Sequence, residues 1–454
     1  MGGAAIRECI CAGPLAIIGF GQEGRALLNL LVTHCPDVSV AVLNEGRIEP
    51  SVKERYRNNG RVAFFDEVDC LKRLPEYAQA FRSPGVSIYR EELQDAIKRG
   101  VRISSSAQLW HDLHTRDFKI IVTGTKGKST TSALLSCVLA GCGEDAILAG
   151  NIGIPLADFV VSGRSHRYWI VEMSSYQLSD FSGDPEIAVL TNLYPEHIDW
   201  HRGIDNYFRD KTRIFSGLKK GRAVLNRRDG NTGKWIENSS GAVYFNDPDG
   251  FSVTEQGISY QNRHVISRDG LAIKGDHNLG NVCAALSVTN LLGIPWEEAI
   301  RHMGRFRGLP HRMEVVAEKD GVTYVDDSIA TIPEATMNAI KVFLPRPITL
   351  LVGGYDRGLD WKAFAGWLAR SVVHAVIGLP ETGWAIVDHM WAAKAPAEGG
   401  VSGIRAEGME EAMSWSRRIT PRDGVVLLSP AAPSYNRYQD YQARGRHFRS
   451  QIRQ

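Results

Sequence analysis

The chain has 454 residues, 43% apolar and 23% charged: the composition of a folded globular protein of about three domains, which excludes a disordered chain and a single small binding module. Lysine and arginine number 53 against 51 acidic residues, a formal charge of only +2, and no long basic run could track a phosphate backbone, so nucleic acid is not an expected partner. The seven cysteines (Cys9, Cys11, Cys35, Cys70, Cys137, Cys142, Cys283) form no C-x-x-C pair, no apolar run approaches a membrane span, and the first ten residues lack the basic flank and apolar core of a secretion signal, so a cytoplasmic enzyme with free thiols and no membrane insertion is expected.

Strand-like apolar runs alternate with helical-period segments, which predicts an α/β fold of three wound blocks, each on a mainly parallel sheet. The first block opens with Leu15-Ala-Ile-Ile, continues through a strand at Val38 to Leu43 and closes near Ser104 to Ala107. Gly19-Phe-Gly-Gln-Glu-Gly24 follows the first strand and opens a helix; in this G-x-G-x-x-G pattern Gly19, Gly21 and Gly24 let the backbone close on a pyrophosphate, and Glu45 is spaced to meet a ribose. A dinucleotide and a nucleotide-diphosphate sugar would use such a turn equally well.

The second block begins at Lys119-Ile-Ile-Val-Thr-Gly124, with further strands predicted at Tyr168 to Glu172, Ile187 to Asn192 and Ala223 to Asn226. Its sharpest motif is Thr123-Gly-Thr-Lys-Gly-Lys-Ser-Thr130, between a strand and a helix. Gly124, Thr125, Lys126 and Gly127 would turn N–H groups toward phosphates, Lys128 would reach the β and γ oxygens, and Ser129 or Thr130 would bind Mg²⁺. Val122 stands where G-x-x-x-x-G-K-[ST] has its first glycine, so the loop is shorter. Strand ends converge in a wound sheet, so Glu172 and His197 could meet over this loop as ligands of a two-metal ATP site; singly, Glu172 also reads as a solvated strand end and His197 as a helix cap. The polar stretch Asn238 to Gly275 predicts a small antiparallel addition. A third block follows Phe306-Arg-Gly-Leu-Pro310, with strands at Val322 to Val325, Ile348 to Val352, Ala375 to Ile377 and Val425 to Leu428. The expected domains are 1–107, 108–308 and 309–454.

The phosphate loop, Gly150-Asn-Ile-Gly-Ile-Pro155, Val171-Glu-Met-Ser-Ser-Tyr-Gln177, Pro195-Glu-His-Ile-Asp199, His277-Asn278 with Asn281, Leu309-Pro-His-Arg312 and Leu428-Ser-Pro430 resemble, in this order and over almost the whole chain, the Mur ligases. The resemblance implies a uridine-nucleotide domain, a central ATPase domain and a C-terminal Rossmann-like domain. It implies a monomeric, ATP-dependent and Mg²⁺-dependent ligase that adds glutamate to UDP-N-acetylmuramoyl-L-alanine through an acyl phosphate, in peptidoglycan precursor synthesis. By position, Lys128 would bind the γ-phosphate, Ser129, Thr130 and Glu172 the first of two Mg²⁺ ions, and His197 the second. Lys211 matches a lysine that the family carbamylates into an anionic metal ligand; without the resemblance it reads as a solvated helix lysine. Asn278, Arg312 and Asp327 would serve adenosine and phosphates, although Asn278 and Arg312 could also simply tie domains together. Asn151, Ser174, Ser175 and Gln177 would meet the muramoyl-alanine end, and Gly19 to Gly24 with Ser83 and Gly85 the uridine diphosphate.

The match loosens at the amino acid. D-glutamate ligases of the family often read Asn-Asp-Ser-Lys-Ala-Thr where this chain has Asp326-Asp-Ser-Ile-Ala-Thr331, so Ile329 replaces a cation, and Arg357 and Ser434 are left to hold the side-chain carboxylate. Ser434-Tyr-Asn-Arg-Tyr-Gln-Asp-Tyr441 also resembles a branch that adds L-glutamate, its product being epimerised afterward. D-glutamate, the commoner activity, is expected ahead of L-glutamate. Two other readings are a folylpolyglutamate synthase-like ligase, which has no uridine-nucleotide domain in front, and a nucleotide-binding regulator without turnover.

Overall fold

Short, buried apolar runs make most of the strands. β1 (Leu15–Ile18), β2 (Val40–Leu43), β3 (Val62–Phe65), β4 (Gln79–Arg82) and β5 (Arg102–Ser104) form a parallel sheet in the order β3-β2-β1-β4-β5. β1 and β4 flank the point where the strand order reverses, so the turns after them border one crevice. A computed structural model describes residues 3–10, 12–152, 156–159, 166–219, 221–236, 241–273, 275–356, 361–393, 401–434 and 436–453.

The second sheet is also parallel: β6 (Phe118–Thr123), β7 (Ala146–Gly150), β8 (Tyr168–Glu172), β9 (Ile187–Leu190), β10 (Arg222–Asn226) and β11 (Val243–Phe245) lie in the order β11-β10-β9-β6-β8-β7. The predicted antiparallel addition is confined to β12 (Phe251–Val253), β13 (Gly257–Tyr260) and β14 (Arg263–Ser267). Val243–Phe245, inside the stretch expected to be antiparallel, joins the edge of β10 instead and buries Phe245 there. The last sheet comprises β15 (Glu314–Lys319), β16 (Val322–Asp326), β17 (Ile348–Val352), β18 (Ala375–Gly378), β19 (Ser402–Arg405) and β20 (Val425–Leu428), ordered β15-β16-β20-β17-β18-β19, with only the edge strand β15 antiparallel.

The chain forms two compact units, Met1–Phe306 and Arg307–Gln454. The first holds both leading sheets because one apolar cluster runs from Leu15 and Leu31 through Trp110 to Trp169 and Phe215. Buried polar ties reinforce it: Arg82, at the end of β4, donates to Asp180 (2.8 Å), to the Tyr176 carbonyl (2.8 Å) and to the Ser179 hydroxyl (3.1 Å). Among the described residues the cysteines are free, and no helix is long and apolar enough to cross a membrane.

Candidate active site

β6 delivers the chain to a loop that needs glycine twice. Gly124 (φ +149°) and Gly127 (φ +83°) are left-handed, and a Cβ would collide with the Thr191 hydroxyl at the first and the Asn281 amide at the second. The end of β9 clamps the loop: Thr125 N–H donates to the Asn192 carbonyl (2.9 Å), Lys126 N–H to Asn192 Oδ1 (2.8 Å), and the Thr191 hydroxyl and Asn192 Nδ2 to the Lys126 carbonyl. Gly127 then caps the helix Lys128–Gly141, whose first N–H groups have no partner within the helix and face the loop with the positive end of the helix dipole.

Two lysines bear on this loop. Lys128 Nζ donates to the Gly124 (2.9 Å) and Thr125 (3.1 Å) carbonyls, and Lys211 Nζ donates to the same Gly124 carbonyl at 2.9 Å. Lys211 is only 2% exposed, on the inner face of the helix Ile204–Ser216 with Tyr207 and Phe208, which corrects the reading of it as a solvated helix lysine. Burial, and next the charge of Lys128, hold its pKa well below the usual lysine value. Glu172 ends β8 in register with Val122 of β6 and is buried, not a solvated strand end. Its Oε1 accepts from Asn151 Nδ2 (2.7 Å), while Oε2 is buried without a hydrogen-bond partner. His197 adopts a left-handed backbone (φ +55°) beside Tyr176; desolvation lowers its pKa, Glu196 opposes this, and Lys211 and Lys128 lower it further, which favours the neutral imidazole. Gly124 to Thr130, Glu172, His197 and Lys211 are thus brought together. Lys126, by contrast, points its ammonium at Glu196.

At the β1/β4 crevice, Gly19 is left-handed (φ +80°), the Ser83 hydroxyl donates to its carbonyl (3.0 Å), and a Cβ on Gly24 would strike that same carbonyl. Gly85 closes the neighbouring turn, its carbonyl accepting from Trp200 Nε1 at 3.1 Å. Gly21 caps the helix Gln22–His34. Glu45 is ion-paired with Arg90 (2.7 Å), so a ribose there would share the carboxylate with a guanidinium. Beyond β8, Ser174 caps the helix Ser175–Leu178, and Gln177 is bound by Ser174 N–H at Oε1 (3.0 Å) and donates from Nε2 to Glu23 (3.1 Å). Ser175 Oγ lies 3.0 Å from His201 Nε2, His201 Nδ1 2.6 Å from Asp210, and Asp210 accepts from Tyr89 (2.9 Å). Ser175 and Gln177 therefore direct their polar groups to internal partners, the buried His201 and the half-buried Glu23. Asn278 accepts from Asn281 (3.3 Å), whose amide rests on Gly127.

In the second unit Asp327 is buried, accepting from Ser429 (2.7 Å) and from Met313 N–H (3.1 Å); burial pushes its pKa up to about 7 against these bonds and the nearby charge of Arg312. Ser434 is buried in the turn after β20, its carbonyl accepting from Arg437 and Tyr438 N–H. Arg357 lies outside the described residues. The sequence reading did not single out Thr191, Asn192, Glu23, Arg82, His201 or Asp210. The position of Thr191-Asn192 just past a predicted strand could have marked the first two; the others act through long-range pairing that carries no local pattern.

Residues 122–289 match the model of the Mur ligase middle domain, and residues 311–432 that of the Mur ligase glutamate ligase domain. A UDP-N-acetylmuramoyl-L-alanine--L-glutamate ligase of Xylella fastidiosa is 36% identical over 445 residues, covering 96% of this chain and 94% of the relative. One of the same description from a Micromonospora species is 34% identical over 451 residues, covering 97% and 96%. Among solved structures, a MurF from Acinetobacter baumannii has a TM-score of 0.59 at 15% identity (99% and 92% covered), and UDP-N-acetylmuramate-alanine ligase from Thermotoga maritima 0.57 at 18% (97% and 99%), a likeness of fold. Identity of about a third, sustained along nearly the full length of the chain and of its relatives, shows that this chain belongs to the Mur ligase family.

Proposed function

We propose that the chain is an ATP-dependent ligase that joins glutamate to UDP-N-acetylmuramoyl-L-alanine in the cytoplasm, acting as a monomer in peptidoglycan precursor synthesis. The observation that carries this reading is the convergence of Lys128, Lys211 and Glu172 on the Gly124–Thr130 loop, in a chain whose relatives bear that activity. Residues 1–107 take the uridine nucleotide, 108–308 take ATP and 309–454 take the amino acid.

The pyrophosphate of the UDP substrate rests on the turn Gly19–Gly24 beside Ser83 and Gly85, and Glu45 meets the ribose. Asn151 and Ser174 face the muramoyl-alanine end, with Ser175 and Gln177 fixing the short helix that Ser174 caps. The alanyl carboxylate attacks the γ-phosphorus of ATP, the bond to the bridging oxygen breaks, and ADP leaves. Lys128 and the N–H groups at the start of its helix compensate the charge on the transferring phosphoryl group. The glutamate amine then attacks the acyl phosphate, the tetrahedral intermediate expels phosphate, and the amine loses its proton. Asn278, Arg312 and Asp327 serve adenosine and the phosphates.

A divalent cation fits the loop, since a buried oxygen of Glu172 has no hydrogen-bond partner and is open to a ligand. Ser129, Thr130 and Glu172 would hold one Mg²⁺ and His197 with Lys211 a second; bound there, Mg²⁺ neutralises phosphate charge. Lys211 serves as a carbamate: its buried amine, favoured in the neutral form, adds CO₂ and releases a proton, which converts a group that would repel a cation when protonated into an anionic ligand.

L-glutamate is the enantiomer we propose, in place of the D-glutamate favoured by the resemblance, because the relatives at 33 to 36% identity carry L-glutamate in their descriptions and Ile329 removes the cation common in D-glutamate ligases. Arg357 and Ser434 hold its side-chain carboxylate. Phosphate release with UDP-N-acetylmuramoyl-L-alanine and each enantiomer tests the reading: turnover with L-glutamate supports it, turnover confined to D-glutamate overturns the enantiomer, and turnover with a folate in place of the UDP substrate overturns the activity.

A further inference from the structure

The helix that begins at the phosphate loop ends in a second cluster, one that the ligase reaction does not use. Cys142 caps the C-terminus of Lys128–Gly141, and the helix Trp296–Met303 presents Glu298 and His302 one turn apart on the face that meets it. One ligand atom from each of Cys142, Glu298 and His302 lies within 4.8 Å of the other two, and all three residues are half-buried. Among the described residues this is the one such group of three. We infer that Cys142, Glu298 and His302 form a binding site for a thiophilic divalent cation of the zinc class, with the fourth position left to water.

The donor set selects the ion. A thiolate and an imidazole favour zinc-like cations over Mg²⁺, and one carboxylate completes three protein ligands of a tetrahedral centre. Ligand atoms around tetrahedral zinc lie about 3.3 to 3.8 Å apart, so modest side-chain rotation closes the present spacing. Gly141 provides the room: a Cβ there would collide with the His302 ring, so the imidazole packs flush against the helix end beside Cys142. The Glu298 carboxylate lies close enough to the Cys142 thiol to help raise its pKa, burial being the larger cause. As the sulfur–metal bond forms, the thiol proton leaves to solvent. The site is separated from the phosphate loop by the length of the helix, about 20 Å for fourteen residues, so it is distinct from any Mg²⁺ at Glu172. Occupied, it would pin the far end of the phosphate-loop helix to its neighbour.

Titration of the chelator-treated full chain with Co²⁺, followed by absorbance, reads the site directly. One equivalent should produce a thiolate-to-cobalt charge-transfer band that Zn²⁺ removes and excess Mg²⁺ does not. Cys142→Ser should abolish the band, and His302→Gln and Gly141→Ala should weaken Co²⁺ binding by about tenfold or more, while Cys137→Ser, altering the neighbouring thiol, should leave it unchanged. Zn²⁺ should raise the thermal midpoint of the wild type but not of Cys142→Ser. A Co²⁺ complex without the thiolate band, or a band that survives in folded Cys142→Ser, overturns the proposal.

Discussion

Two buried charge clusters at strand ends, one in each unit, settle the cost of burial in opposite ways. At the phosphate loop, Lys128 and Lys211 share one carbonyl acceptor and a carboxylate oxygen of Glu172 has no hydrogen-bond partner, so polar groups are crowded together with hydrogen-bonding capacity left open. At the end of β16, Asp326 accepts from His311 (2.8 Å), Arg449 (3.0 Å) and Ser328 N–H (3.1 Å), and Asp327 is held by Ser429 and Met313. A buried polar group with open hydrogen-bonding capacity is expensive and is retained where a ligand completes it; a satisfied one anchors the fold. The loop cluster is therefore preorganised for phosphates and cations, and Asp326 is mainly an anchor.

The strongest way to break this contrast is Lys128→Ala. Phosphate release should fall by about 10²- to 10³-fold with the circular dichroism spectrum unchanged, and a folded variant with normal turnover would move the phosphate site elsewhere. Lys211→Ala should lose activity almost as completely but regain part of it with added short-chain carboxylates, which stand in for a carbamate; Lys128→Ala should not respond to them. Full activity of Lys211→Ala without additive would rule out the carbamate. A smaller effect is expected where the clamp alone is altered. Thr191→Val removes a hydroxyl bonded to the Lys126 carbonyl, a change worth about 1 to 3 kcal/mol, so the ATP KM should rise about tenfold with the KM for the UDP substrate unaltered.

The prediction that sharpens the other half of the contrast is one of stability and concerns Asp327. Its folded pKa of about 7 lies above the ordinary 3.8, so the folded protein keeps a proton that the unfolded chain has already released. The stability this confers is fully present below about pH 4 and is lost as pH rises through about 7, a change on the order of 2 to 4 kcal/mol. Urea midpoints at pH 5 and pH 8 should diverge for the wild type and converge for Asp327→Asn, which mimics the protonated carboxyl; parallel shifts in the two proteins would show that Asp327 is ionised in the folded state.

Local pattern determined much of this protein. The β1, β9 and β20 segments are continuous apolar runs that must be buried on both faces, β6, β8 and β17 are nearly so, and the glycines at 19, 124 and 127 announce backbone that only they adopt without strain. The phosphate loop, Glu172 and His197 were legible because their chemistry is tied to the ends of those runs. Strands such as Gln79–Arg82 were not, since their polar ends look like loop until Arg82 meets Asp180, 98 residues away. Only the tertiary structure decided that Lys211 is buried and that Thr191 and Asn192 hold the loop shut. It alone showed that Ser175 and Gln177 point to His201 and Glu23, and that Cys142 faces Glu298 and His302. The physical reason is the same in each case: burial and charge pairing depend on which helix face a distant strand or helix covers, and that is a property of packing that no local spacing encodes.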